Sequence, residues 1–112
     1  MRLLLDHCVP RTFTGSLIGH DVETARQRGW DALEDGDLLD RICGEFEGLI
    51  TVDRNLRWQQ NMADRPFFIL VLIVRRNTIR HLALLVPQVL AAIANSRPGE
   101  VLLVGDAVNR SL

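Results

Sequence analysis

Two short apolar runs, each followed by an aspartate, constrain the fold more than any other feature of the sequence. Leu3–Leu5 is followed by Asp6, and Leu49–Val52 is followed by Asp53. Continuous apolar runs of this length are typical of parallel strands that are buried on both faces of a sheet. The sequence therefore predicts an α/β fold in which two strands carry aspartates at their carboxyl ends.

Three further runs predict the remaining strands, at Val22–Thr24, Phe67–Val74 and Val101–Val104. Helical segments separate most of these runs, and strands that alternate with helices favour a mostly parallel central sheet with right-handed crossovers. A chain of 112 residues is the size of one ordinary domain. We therefore expect a single domain over residues 1–112.

The helices differ in how clearly the sequence defines them. Pro10 suits the start of a first helix, and Asp35 is suited to capping the next. The apolar residues that follow Asp35 repeat at helical spacing; they are Leu38, Leu39, Ile42, Cys43 and Phe46. A later apolar stripe starts at Ile79 and contains Pro87, which either kinks one long helix or begins a second short one.

Composition disfavours several classes of protein. Two cysteines are too few for a disulfide framework, and the apolar run Phe67–Val74 is far shorter than the ~20 residues of a membrane-spanning helix. We therefore expect a cytoplasmic protein without membrane contact. All 13 basic residues are arginine, which disfavours a phosphoacceptor receiver domain because that domain needs a lysine after its last strand. No Gly-x-Gly-x-x-Gly motif follows the first strand, which disfavours dinucleotide binding.

Four aspartates are candidate metal ligands. Residues just past the carboxyl ends of neighbouring parallel strands converge on one crevice, and Asp6 and Asp53 both occupy such positions. Asp35 and Asp37, at the start of a helix, open onto the same edge. Clustered carboxylates repel one another unless a cation lies among them, and hard oxygen ligands suit Mg²⁺ or Mn²⁺. Asp106, after the last strand, is a weaker candidate.

Each of these aspartates also has a purely structural interpretation. An aspartate at the end of a strand often caps a turn, which applies to Asp6 and Asp53. Asp35 suits the capping position of its helix, and Asp37 lies in the first turn, where the helix dipole favours negative charge. The sequence leaves both interpretations open.

A polar segment after Asp53 is a candidate RNA-binding site. Its amide and guanidinium donors could hold phosphates or the edges of unpaired bases, although a solvated polar helix explains them equally well. The candidate RNA-binding residues are Arg54, Asn55, Arg57 and Gln60. Trp30 and Trp58 could stack on bases, but tryptophan in a small domain is more often a core residue. Charge is uneven, because residues 1–64 carry −5 and residues 65–112 carry +4.

Four segments, in this order along the chain, carry a resemblance to a known family: Leu4–Pro10, Gly19–Val22, Asp35–Leu39 and Thr51–Leu56. Together they resemble the PIN-like family of small proteins related to VapC-type toxins. The resemblance spans residues 3 to about 61. One departure is His7-Cys8, which stands where many relatives have Glu-Asn.

The resemblance implies a three-layer α/β/α PIN-like fold and an endoribonuclease that hydrolyses RNA phosphodiesters with water activated by Mg²⁺ or Mn²⁺. Asp6, Asp53 and either Asp35 or Asp37 would be metal ligands, and Asp6, Asp37 and Asp53 would be catalytic. The implied partners are RNA, a cognate antitoxin protein and a second copy of the chain in a homodimer. The alternative is a non-catalytic PIN-like scaffold that binds a partner protein or RNA.

Overall fold

Strands and helices alternate along the chain in the computed structural model, which describes residues 1–54 and 62–105. The strands are β1 (Arg2–Leu5), β2 (Asp21–Thr24), β3 (Gly48–Thr51), β4 (Phe68–Ile73) and β5 (Val101–Gly105). The helices are α1 (Asp35–Ile42), α2 (Ile79–Ala83) and α3 (Val86–Asn95), and a 3₁₀ helix covers Arg11–Ser16.

The strands form one five-stranded sheet in the order β2-β1-β3-β4-β5. Every neighbouring pair is parallel, which confirms the α/β fold and the parallel sheet predicted from the sequence. β1 and β3 are neighbours, with Leu5 paired to Ile50. The residues that follow these two strands therefore lie at the same edge of the sheet, here called the carboxyl edge.

The core lies on both faces of the sheet, because side chains alternate between the faces along each strand. Leu3 and Leu5 belong to a cluster that also contains buried residues of the 3₁₀ helix, α2 and α3: Phe13, Leu82, Val89 and Ile93. Leu4 belongs to a second cluster with buried residues of α1: Leu38, Leu39 and Ile42. The three-layer arrangement implied by the resemblance stays a prediction.

Two local predictions are resolved by the helix boundaries. Pro87 is the second residue of α3, so it begins a second helix, at a position where the missing N–H of proline has no helical partner to lose. The prediction that Asp35 caps α1 is wrong, because Glu34 is the capping residue and makes no side-chain cap bond. Asp35 instead lies in the first turn.

None of the described helices is long and apolar enough to span a bilayer.

Trp30 is part of the core packing and not an exposed platform for bases. Its ring meets Phe46 edge-on, with centroids 6.1 Å apart, and the Arg28 guanidinium lies over both rings. Arg28 also makes two 3.0 Å hydrogen bonds to Glu23, and this pairing lowers the pKa of the Glu23 carboxyl. Trp58 lies outside the described residues.

Candidate functional site

Asp6 is a buried carboxylate at the carboxyl edge, with an exposed fraction of 4%. Its Oδ1 accepts a 2.9 Å hydrogen bond from the backbone N–H of His7 and lies 3.1 Å from His7 Nδ1. Its Oδ2 accepts hydrogen bonds from the Thr51 hydroxyl at 2.8 Å and the Cys8 thiol at 3.5 Å. Burial disfavours the charged form of a carboxylate unless donors surround it. These contacts therefore hold Asp6 in one orientation.

Thr51 links Asp6 to Asp53. Leu5 and Ile50 are register partners, so the next residues, Asp6 and Thr51, also lie side by side. Thr51 Oγ1 donates to Asp6 and accepts a 3.0 Å hydrogen bond from the backbone N–H of Asp53. Thr51 is fully buried, whereas Asp53 is exposed. One hydroxyl thus ties the ends of two neighbouring strands together.

Thr51→Val is expected to lower the free energy of unfolding by about 1.5 kcal/mol or more, because the buried carboxylate of Asp6 loses a hydroxyl donor. Urea unfolding followed by circular dichroism measures the change. Thr51→Ser keeps the hydroxyl and is the control, for which we expect a clearly smaller loss. Equal losses in the two variants would mean that the hydroxyl contributes nothing to stability.

Cys8 is held as a neutral thiol. Burial raises the pKa of the Cys8 thiol, and the negative charge of Asp6 raises it further, while a hydrogen bond with Thr51 acts in the opposite direction. The protonated thiol can donate to Asp6 Oδ2, although a thiol is a weak donor. Cys8 is therefore a structural neighbour of the carboxylate and not an activated nucleophile.

Asp35 and Asp37 lie in the first turn of α1. Asp35 is half-buried and Asp37 is exposed. Among the described residues, no group of three or more His, Cys, Asp or Glu side chains could together hold a metal ion. The structure therefore joins Asp6 and Asp53 at the end of neighbouring strands but does not assemble either of them with Asp35 and Asp37 into a larger cluster.

Thr51 fixes the backbone of Asp53 beside Asp6, and the two carboxylates could together hold a Mg²⁺ or Mn²⁺ ion that keeps most of its waters. Mg²⁺ in proteins is commonly held by one or two carboxylates together with substrate phosphates, so a cluster of three acids is not required. A carboxylate offers about four lone-pair positions. Three at Asp6 are used by His7 and Thr51, and the fourth holds only the long thiol contact of Cys8. That contact is the one that an ion would displace at lowest cost.

An open pocket of about 390 Å³ lies beside Asp6, within the size range of small-ligand sites. Its walls come from the loops after β1 and β4 and from the end of β2. The described lining residues are Asp6, His7, Cys8, Val9, Pro10, Arg11, Thr24, Arg26 and Asn77. Asp6 is the only acid among them, and Arg11 and Arg26 are the two arginines.

Sequence reasoning missed Thr51, Arg11, Arg26 and Asn77. Thr51 had a detectable signal, since it is a polar residue inside an otherwise apolar strand. The other three had none, because they meet only when three loops fold onto one edge. Among the candidate RNA-binding residues, Arg54 is exposed at the carboxyl edge. The remaining candidates, Asn55, Arg57 and Gln60, lie outside the described residues, as does Asp106.

Comparison with known proteins gives no match. No protein-family model matches the chain, and no curated protein and no solved structure is significantly similar to it.

Proposed function

We propose that this protein is an endoribonuclease that depends on Mg²⁺ or Mn²⁺ and acts at the carboxyl edge. The observation that carries the proposal is Asp6: a buried carboxylate, held by contacts with His7, Cys8 and Thr51, that lines an open pocket together with Arg11 and Arg26. A buried polar group needs partners to offset its lost hydration, and convergent polar groups in a pocket are typical of binding sites. The resemblance to PIN-like proteins adds the reaction class.

The residues at this edge have separate tasks in the proposed reaction. Asp6 and Asp53 would hold the metal ion, with Asp37 or Asp35 contributing from α1. The ion would activate the attacking water and neutralise charge on the phosphate. Thr51 and His7 keep the Asp6 carboxylate in position, so that little reorganisation is needed when substrate binds. Arginines at the edge, Arg54 among them, would bind the RNA backbone.

The physiological role that we propose is the toxin of a toxin–antitoxin pair. A cognate antitoxin protein would then bind the chain, and two copies would form a homodimer. These partners rest on the resemblance alone. These partners would be supported if induced expression of the chain arrests growth, and if co-expression of a small protein encoded by a neighbouring gene relieves the arrest.

The proposal is tested with purified protein and labelled RNA in Mn²⁺, in Mg²⁺ and in EDTA. We expect cleavage in either metal and none in EDTA. Equal cleavage in all three conditions would mean a contaminating nuclease or a metal-independent reaction, and no cleavage in any of them would reject the proposal.

A second candidate is a non-catalytic scaffold that binds a partner protein or RNA. Two observations favour it: the described residues contain no group of three side chains that could hold a metal ion, and both oxygens of Asp6 already accept hydrogen bonds. Asp53→Asn separates the candidates because it removes the charge of an exposed side chain while keeping its size. If this variant retains toxicity and RNA turnover but loses a partner, the scaffold is the better description.

A further inference from the structure

Arginines surround the pocket beside Asp6 on more than one side. Arg11 follows β1 at the start of the 3₁₀ helix, and Arg26 follows β2; both are exposed and both line the pocket. The Arg26 guanidinium forms a loose ion pair with Asp31 at 3.9 Å, too long for a hydrogen bond, and 79% of its side chain is exposed. A phosphate can therefore compete with Asp31 for Arg26.

The loop after β4 carries two more arginines directly before a residue that lines the pocket. Its Asn77 lines the pocket and donates a short hydrogen bond from its side chain to the backbone carbonyl of Cys8. Arg75 and Arg76 come directly before Asn77 and are exposed. Because neighbouring Cα atoms are about 3.8 Å apart, the backbone of both lies close to a pocket wall. We call Arg11, Arg26, Arg75 and Arg76 the arginine rim.

The arginine rim is poorly neutralised. Among the described residues, Arg11, Arg75 and Arg76 make no ion pair. Among the described residues that line the pocket, Asp6 is the only acid, and its side chain is buried. Asp31 pairs only loosely with Arg26, and Asp53 at the same edge is not among the residues that line the pocket, so the arginines leave the pocket opening positive. Such an opening attracts anions.

We propose that the arginine rim binds the backbone of single-stranded RNA, with one phosphate held by Arg11 and Arg26 in the pocket and neighbouring phosphates held by Arg75 and Arg76. This inference deepens the proposed function, because it assigns the RNA to the side of Asp6 that faces β2 and the loop after β4. The candidate residues that follow Asp53 in the sequence are not part of the arginine rim.

The chemistry and size of the pocket both fit this ligand. Guanidinium groups bind phosphate with two parallel hydrogen bonds, which makes arginine better suited than lysine to hold a phosphate in one orientation. A pocket of about 390 Å³ has room for a nucleotide-sized group. A single strand can direct one nucleotide into such a pocket, whereas a stacked duplex cannot.

The test measures binding without cleavage. A fluorescent single-stranded RNA of about 12 nucleotides is titrated with protein in EDTA, and the anisotropy is followed over a range of salt concentrations. We compare wild type, the double variant R11A/R26A and the double variant R75A/R76A. The control is R41A/R97A, which removes the same charge from exposed positions near the opposite edge of the sheet.

R11A/R26A is expected to weaken RNA binding about tenfold or more, with R75A/R76A weakening it to a smaller extent. The slope of log affinity against log salt is expected to become shallower by about 0.7 in R11A/R26A, since the two arginines hold one phosphate and each phosphate contact on a single strand contributes about 0.7. R41A/R97A is expected to bind as wild type does. Circular dichroism and thermal melting confirm that all variants fold, and R11K/R26K, which keeps the charge, is expected to recover part of the affinity.

Two results of the binding experiment would overturn the inference: R11A/R26A binding within twofold of wild type, or R41A/R97A losing as much affinity as R11A/R26A. The second result would mean that net charge alone governs binding. A parallel cleavage assay in Mn²⁺ separates this inference from the proposed function. If R11A/R26A cleaves RNA as fast as wild type, the role of the arginine rim is rejected and the nuclease proposal stands. If RNA binding depends on the arginine rim but wild type cleaves no RNA, the nuclease proposal is rejected and the role of the rim stands.

Discussion

Asp6→Asn is expected to slow RNA cleavage in Mg²⁺ or Mn²⁺ by about a hundredfold or more, which is the scale of losing one charged group at a catalytic centre. The substitution keeps the size of the side chain and removes its charge. An asparagine also directs an NH₂ group towards either the His7 N–H or the Thr51 hydroxyl, both of which donate to Asp6. Metal binding and the local hydrogen bonds are therefore affected together.

Initial rates on a labelled RNA measure the effect, and two further variants make it interpretable. Asp53→Asn is expected to cause a comparable loss of activity with little change in stability, because Asp53 is exposed. Asp21→Asn removes a charge from an exposed aspartate at the start of β2, on the opposite edge of the sheet, and is expected to leave the rate unchanged. Full activity in both Asp6→Asn and Asp53→Asn would exclude them as the catalytic carboxylates.

Gly48→Ala is expected to lower the free energy of unfolding by about 3 kcal/mol, at the upper end of the usual cost of overpacking a core. Gly48 in β3 is paired with Phe68 in β4, and the aromatic ring covers the glycine. A Cβ at Gly48 would lie 2.3 Å from Cζ of Phe68 and 2.6 Å from each Cε. The ring cannot move aside easily because Phe68 is only 2% exposed.

Chemical unfolding followed by circular dichroism measures this loss, and Gly36→Ala provides a control with the opposite expected sign. Gly36 is exposed in α1, and a Cβ there would meet no heavy atom within 4 Å. Alanine is favoured over glycine in a helix, so Gly36→Ala is expected to raise stability by about 0.5 kcal/mol. A Gly48→Ala protein as stable as wild type would show that Phe68 does not pack on the glycine.

The periodicity of apolar residues was enough to predict the strands and most helices. Buried strands in a parallel sheet need apolar residues on both faces, so runs such as Leu3–Leu5 stand out in the sequence. The break between α2 and α3 was not predictable, because Pro87 is equally compatible with a kinked helix. The capping residue of α1 was predicted wrongly by one position, an error typical of helix ends.

The site was less predictable than the fold, since it depends on which strands are neighbours. Asp6 was identified from its place after an apolar run, but its contact with Thr51 joins residues that are 45 positions apart. That contact follows from the pairing of β1 with β3, which no local pattern encodes. The pocket between Arg11, Arg26 and Asn77 requires three separate loops. The metal roles of Asp35 and Asp37 stay predictions.

The strand order has a consequence for how this chain acquires its structure. Arg2 pairs with Asp21, and Leu3 pairs with Gly48, so the ladders of β1 join segments that are distant in sequence. A parallel sheet contains no tight hairpin from which pairing can spread, and each long connection must close before its ladder is stabilised. Folding is therefore expected to be slow for a domain of this length. During synthesis, β1 cannot pair with β3, and Asp6 cannot accept the hydrogen bond of Thr51, until β3 has left the ribosome.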